Sequence, residues 1–319
     1  MSRPAPRASS ARAHDEHGAV AVMVALLMVP LIGFAALAVD VASLWAQRQQ
    51  LQTGADAAAL AIASDCLRGS CGSPTETATD FTTANLRHGL PTAAATATGT
   101  EVKVSNSAVR SFVFAPALGV PSGSVTTRAT AKWGSPTGGA PVLPVLMNYC
   151  EYSYQTGGGL PTGTTSRTVL QEQTTVPSCT ASGFTSSFAP GGFAWSKANQ
   201  TGCVVPNGIG AEVAIANTTS PPSNGCTTEY VAKLQNRTVL FPVFKSGRGE
   251  KNNAFVTIFG YAPFKLTGYN LGSGYSWNSP CDVNVRCLRG YFVTITEPDA
   301  TFTYGSGPAL GGGFVTLID

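Results

Sequence analysis

From Gly18 to Val39 the sequence reads GAVAVMVALLMVPLIGFAALAV, 22 residues without a charged side chain. At the helical rise this run reaches about 33 Å, enough to cross a hydrocarbon core of roughly 30 Å, so it predicts a transmembrane helix. Pro30, near the middle, removes one backbone donor and predicts a kink of the kind membrane helices tolerate. Arg3, Arg7 and Arg12 precede the run, whereas Arg48 is the single basic residue in the stretch 40–59. This bias puts residues 1–17 in the cytoplasm as an N-terminal tail and everything after Asp40 outside.

A cleavable signal peptide is the competing reading, because Ala36-Leu37-Ala38 offers a small-x-small site. The apolar core is longer than that of a signal peptide, and the helical pattern runs on through the would-be cut. Apolar or small residues recur at Val41, Leu44, Leu51, Ala55, Ala58 and Ile62, broken at Arg48. Three-four spacing puts these six on one stripe of a helical extension over 40–65. They form a candidate helix interface, facing either the chain's own outer domain or other subunits. Gly54 and the neighbouring alanines suit close helix approach.

Twenty basic against 17 acidic residues leave a net charge of +3, with only 12% of residues charged. Nothing here supplies the basic stripe a nucleic-acid binder needs. Of three histidines, His14 and His17 precede the apolar run, which leaves only His88 for imidazole chemistry beyond it. The eight cysteines Cys66, Cys71, Cys150, Cys179, Cys203, Cys226, Cys281 and Cys287 all follow the run. An even number confined to one side reads as disulfides in an oxidising compartment. Cys66 with Cys71 and Cys281 with Cys287 are the expected local bridges, while the four middle cysteines leave three connectivities open. No pair has the tight spacing of a zinc site.

The remainder is rich in turns, with 35 glycines and 21 prolines in the whole chain. Thr79 to His88 reads as a short helix, and Glu101–Val104, Val109–Phe114 and Ser124–Trp133 as short strands, making a segment over 66–134. Ser135 to Pro141, rich in Gly and Pro, reads as a linker. Residues 142–319 are strand-rich, with apolar or β-branched runs at Val142–Met147, Arg167–Gln171, Thr238–Phe244, Phe255–Ala262, Tyr291–Thr296 and Gly313–Ile318. The expected class is α+β: a long N-terminal transmembrane and amphipathic helix, a small α/β segment, and a β-rich disulfide-tied outer domain.

Chemistry is sparse. His88 suits a helix C-terminus, Glu297 and Asp299 around Pro298 read as turn residues, and Gly311-Gly312-Gly313 lacks the Lys-Ser/Thr of a phosphate loop. No cofactor, metal or small-molecule substrate is expected. Trp195, Tyr261, Phe264, Tyr269, Tyr275 and Trp277 lie among Gly, Asn and Ser, which suits either core packing or a binding surface for glycans or proteins. The triplets starting at Asn199, Asn217 and Asn236 fit the glycosylation pattern and are given no role.

Residues 18 to 63 resemble the N-terminal segment of the Flp (Tad) pilus-assembly TadE/TadG-like proteins. Gly18-Ala19-Val20, the run Gly33 to Val41, and Gln49 to Ala59 carry the resemblance. More weakly, Gly192–Trp195, Thr238–Phe244, Phe259–Tyr269 and Cys287–Phe292 are similar to the outer region of actinobacterial TadG-like proteins. The resemblance implies a membrane-anchored, pilin-like component whose partners are other pilus or secretion subunits. Flp-type pilins carry a glutamate five positions after the cleavage glycine, where this chain has Met23; that argues against prepilin-peptidase processing. The Asp-x-Ser-x-Ser loop of a von Willebrand A domain is absent, so that metal site is not expected. Three readings stand: a non-enzymatic assembly component, an adhesin-like binding module, and a surface-anchored hydrolase.

Overall fold

A computed structural model describes residues 15–141, 143–172, 176, 191–197, 203, 207–216, 226–250, 253–272 and 274–318. The tail 1–14, Cys179, and the triplets beginning at Asn199 and Asn217 lie outside the described residues. The apolar run and its extension form one unbroken helix, α1 (Asp15–Leu67), which continues through Pro30. Gly69, at φ +101°, stops it. There the Ser70 amide donates to the Asp65 carbonyl and the Gly69 amide to that of Cys66, the paired bonds that a left-handed glycine permits at a helix C-terminus. The Cys66–Cys71 disulfide closes the same turn.

A second helix, α2 (Pro74–Asn85), opens with proline at its first position and buries Ala78 and Thr82. Next come β1 (Pro91–Thr98) and β2 (Glu101–Ser111), joined by a two-residue turn in which Gly99 takes φ +62°. After a loop with a 3-10 turn at Ala115–Leu118, β3 (Ser122–Gly139) pairs antiparallel with the whole of β2. Alternation decides which face is covered. Val102, Val104, Ala129, Ala131 and Trp133 point at α1 and pack on its Ala55, Ala58, Ala59, Ile62 and Ala63.

The second sheet is built from β4 (Val145–Asn148), β5 (Arg167–Leu170), β6 (Phe193–Trp195), β8 (Glu212–Ala214), β9 (Thr238–Arg248), β10 (Phe255–Asn270), β11 (Ser276–Trp277) and β12 (Cys287–Phe292), with β7 (Asn207–Gly208) pairing outside it. Its main order is β5-β12-β10-β9-β4-β6, antiparallel throughout except β4 against β9. Two short helices flank it: α3 (Tyr149–Thr156), capped by Asn148, and α4 (Thr228–Ala232), capped by Thr227. Both faces are dry. One carries Phe241, Phe264, Phe292 and Tyr152, the other Leu240, Phe244, Ile258 and Tyr261. Bridges join Cys203 to Cys226 and Cys281 to Cys287, and Cys150 is also disulfide-bonded.

The arrangement is mixed α+β: a long apolar N-terminal helix followed by β-rich, disulfide-tied structure. Two expectations about its division need correcting. Residues 135–139 are not a linker but the last five residues of β3, paired with β13 (Phe302–Gly305). The last strand, β14 (Phe314–Ile318), does not stay with the second sheet; it returns to pair with Thr130–Gly134 of β3, beside α1. The whole of β3 thus belongs to the first sheet, which β13 and β14 from the end of the described chain complete. The short helix expected over 79–88 is α2, which begins at Pro74 and ends before His88.

Candidate functional site

The helix α1 has two halves with opposite surroundings. Between Val20 and Val41 its large side chains stand in the open, Leu26 at 70% and Val29 at 73% exposed. That bare stretch is long and apolar enough to cross a membrane, and none of its most apolar part is buried. From Leu51 onward the helix is part of the folded domain. Leu51, Ala55, Ala58 and Ile62 are completely buried within the chain itself. Four of the six stripe positions are covered by the chain's own fold, Leu44 is half-buried, and Val41 is exposed.

Close approach makes that packing possible. A Cβ on Gly54 would stand 3.1 Å from the Thr82 Cα of α2. Nearer the bare half, Gly123 at the start of β3 leaves room for the Phe112 ring and Leu44; a Cβ there would meet the ring at 2.8 Å.

At the junction of the two halves sits Asp40, only 4% exposed. Its Oδ1 accepts the Val113 amide at 2.9 Å, and its Oδ2 accepts those of Phe114 and Ala115 at 2.9 and 2.7 Å. Burial alone would raise its pKa. The three backbone bonds and the charge of Arg110 outweigh burial and hold the carboxyl below its ordinary value. In the sequence Asp40 ends the apolar run and falls within the stretch Gly33–Val41, with no role for its carboxylate evident there. One signal was available: it is the first charge after that run, and Phe112–Pro121 is a second stretch with no charged or polar side chain.

Two turns further along, Gln47 is buried and neither of its amide atoms has a hydrogen-bond partner among the described residues. It lines a cleft of about 80 Å³ with Ser43, Gln50, His88 and Arg110. His88 thus lies beside an arginine, on an exposed bend rather than at a helix C-terminus.

The other candidates settle into structural roles. Asp299 caps its own turn through Thr301, accepting from both its amide and its hydroxyl. Gly311 takes φ +95°, and Gly313 sits where a Cβ would clash with Leu67 and the Gly134 carbonyl. Trp195, Tyr261, Phe264 and Tyr269 are buried, and Tyr275 and Trp277 pack against the same core, so these aromatics form no open binding platform. Among the described residues no three of His, Cys, Asp or Glu gather as metal ligands.

The buried small-residue half of α1 and its bare apolar half fall within one recognised segment. Residues 18–65 match the family model described as putative Flp pilus-assembly TadE/G-like. No curated protein and no solved structure matches the chain. The TadE/G-like segment covers the apolar run, Asp40 and the packed stripe, and stops just short of Cys66. Its two chemically distinct halves correspond to the membrane candidate and to the helix on which the first sheet is built.

Proposed function

We propose that the chain is a non-enzymatic, membrane-anchored component of a Tad/Flp-type pilus-assembly or secretion system. The anchor is α1, its N-terminus cytoplasmic, and both sheets stand on the opposite side of the membrane. The observation that carries this reading is the continuity of α1: a TadE/G-like helix that is bare and apolar over its first half and welded into a folded domain over its second. A rigid connection of this kind transmits position from bilayer to outer domain, as an assembly component requires, and a flexible tether would not.

Contacts with other pilus or secretion subunits then fall on the bare part of α1 and on the exposed outer surface, since the stripe from Leu51 to Ile62 is occupied. The disulfides suit the oxidising side of the membrane. The test is deletion of the gene in its native host, with complementation by the full chain or by residues 40–319 exported behind a cleavable signal sequence. Pilus assembly should be lost on deletion, restored by the full chain and not by the released domain. Unchanged assembly on deletion would overturn the role, and rescue by the released domain would overturn the anchor.

A further inference from the structure

The loop Phe112–Pro121 reads Phe-Val-Phe-Ala-Pro-Ala-Leu-Gly-Val-Pro, ten residues with no polar side chain. Such a run belongs in a core, yet here it lies outside. Val113 is 71% exposed, Leu118 70%, Val120 50% and Phe114 46%. Its height is fixed by the Asp40 carboxylate, which grips the amides of residues 113–115 at the first position past the membrane-spanning run. On α1 the exposed apolar surface continues beyond Asp40 through Val41 and Trp45, each 65% exposed. Trp45 stands about 7.5 Å further along the helix axis, the level at which tryptophans gather at membrane interfaces.

The backbone of the loop is as unusual as its side chains. Phe112 donates its amide to the Pro121 carbonyl, and Ala117, Gly119 and Val120 donate to carbonyls of the loop itself. Residues 113–115 are held by Asp40, Leu118 lies within the 3-10 turn Ala115–Leu118, and Pro116 and Pro121 have no amide hydrogen to satisfy. A segment presented to water has no need of this economy. A segment in a bilayer does, because each unpaired N–H there costs several kcal/mol.

From these facts we infer that the 112–121 loop inserts into the outer leaflet of the bilayer that α1 crosses, giving the outer domain a second membrane contact beside its anchor. The inference rests on the reading of residues 18–39 as a span. A helix alone leaves a domain free to tilt and rotate about its axis; a wedge beside it sets both. The occupant is the lipid surface because Asp40 ties the exposed apolar loop to α1 just where the helix's own bare apolar stretch ends.

The test uses the full chain in vesicles of phosphatidylcholine brominated along the acyl chain. It compares the emission added by a tryptophan at Leu118→Trp with that added at Phe34→Trp, within the span, and at Val283→Trp, an exposed residue 88% accessible in the second sheet's loops. The inference expects Leu118→Trp to lose most of its added emission to bromines near the headgroups, Phe34→Trp to bromines deeper in the chain, and Val283→Trp to neither. Quenching of Phe34→Trp without quenching of Leu118→Trp overturns the inserted loop and leaves the span standing. Quenching of neither overturns the span reading itself. Blue-shifted but unquenched emission from Leu118→Trp also overturns lipid contact and assigns the loop to a protein neighbour.

Discussion

Gly54 of α1 faces Thr82 of α2 so closely that a Cβ at position 54 would lie 3.1 Å from the Thr82 Cα and 3.4 Å from the Phe81 carbonyl oxygen. Both are backbone atoms, so the helices cannot adjust by moving a side-chain tip. Gly54→Leu should therefore destabilise the folded domain by about 1–3 kcal/mol through overpacking. Gly33, where an added Cβ would meet nothing within 4 Å, supplies the control. Thermal unfolding of the full chain in detergent should show a lower midpoint for Gly54→Leu and an unchanged one for Gly33→Leu; equal midpoints would mean the two helices separate at no cost.

Leu51 and Val41 occupy the same amphipathic stripe in sequence but opposite environments, one fully buried and the other 65% exposed. Leu51→Ala should cost about 2–5 kcal/mol as a core truncation, and Val41→Ala within about 0.5 kcal/mol. Leu51→Lys should prevent folding, since its ammonium would have no access to water. If denaturant unfolding gave Leu51→Lys wild-type stability, the packed half of α1 would have to be free for other subunits after all.

How much of this was legible depends on range. The apolar run 18–39 and the burial of Leu51, Ala55, Ala58 and Ile62 follow one-dimensional patterns, which composition and period make visible. The small residues around Gly54 pointed to close packing but not to its partner, because α2 meets α1 through tertiary contact. Residues 135–139 misled for a physical reason: a Gly- and Pro-rich stretch looks like a hinge, yet Gly139 is needed where a Cβ would run into the Phe302 ring at 2.4 Å. Pro136 sits beside a register irregularity in the β3–β13 pairing, a place where a strand tolerates proline. Asp40 carried a visible signal as the first charge after the span, but nothing local ties it to amides 73 to 75 residues away.

The grip of Asp40 on residues 113–115 should depend on pH in a defined direction. The folded chain holds this carboxyl below its ordinary value of 3.8, burial being outweighed by the three amides and Arg110. A lowered folded pKa means that stabilisation is fully present above the ordinary value and is lost as pH falls through the lowered one. Amide exchange at residues 113–115 should therefore be slow at neutral pH relative to Asp40→Asn, and the difference should vanish in strong acid. An Asp40→Asn chain with wild-type protection at neutral pH would show that the carboxylate does not hold the loop.

Gly313, the residue before β14, tests whether this strand holds β3 against the helix. A Cβ there would lie 2.4 Å from Leu67 Cδ1 and 2.8 Å from the Gly134 carbonyl oxygen. Leu67 can turn its tip away, but the Gly134 carbonyl belongs to β3, whose own pairing with β14 begins at Phe314. Gly313→Ala should thus push β14 off β3 and cost about 1–3 kcal/mol. Hydrogen exchange should quicken at Thr130–Gly134 and at the C-terminal turn of α1 together, while β9 and β10, which pair with each other away from this edge, keep their protection. Exchange confined to β14 alone would show that the strand is an appendage and that α1 and β3 need nothing from it.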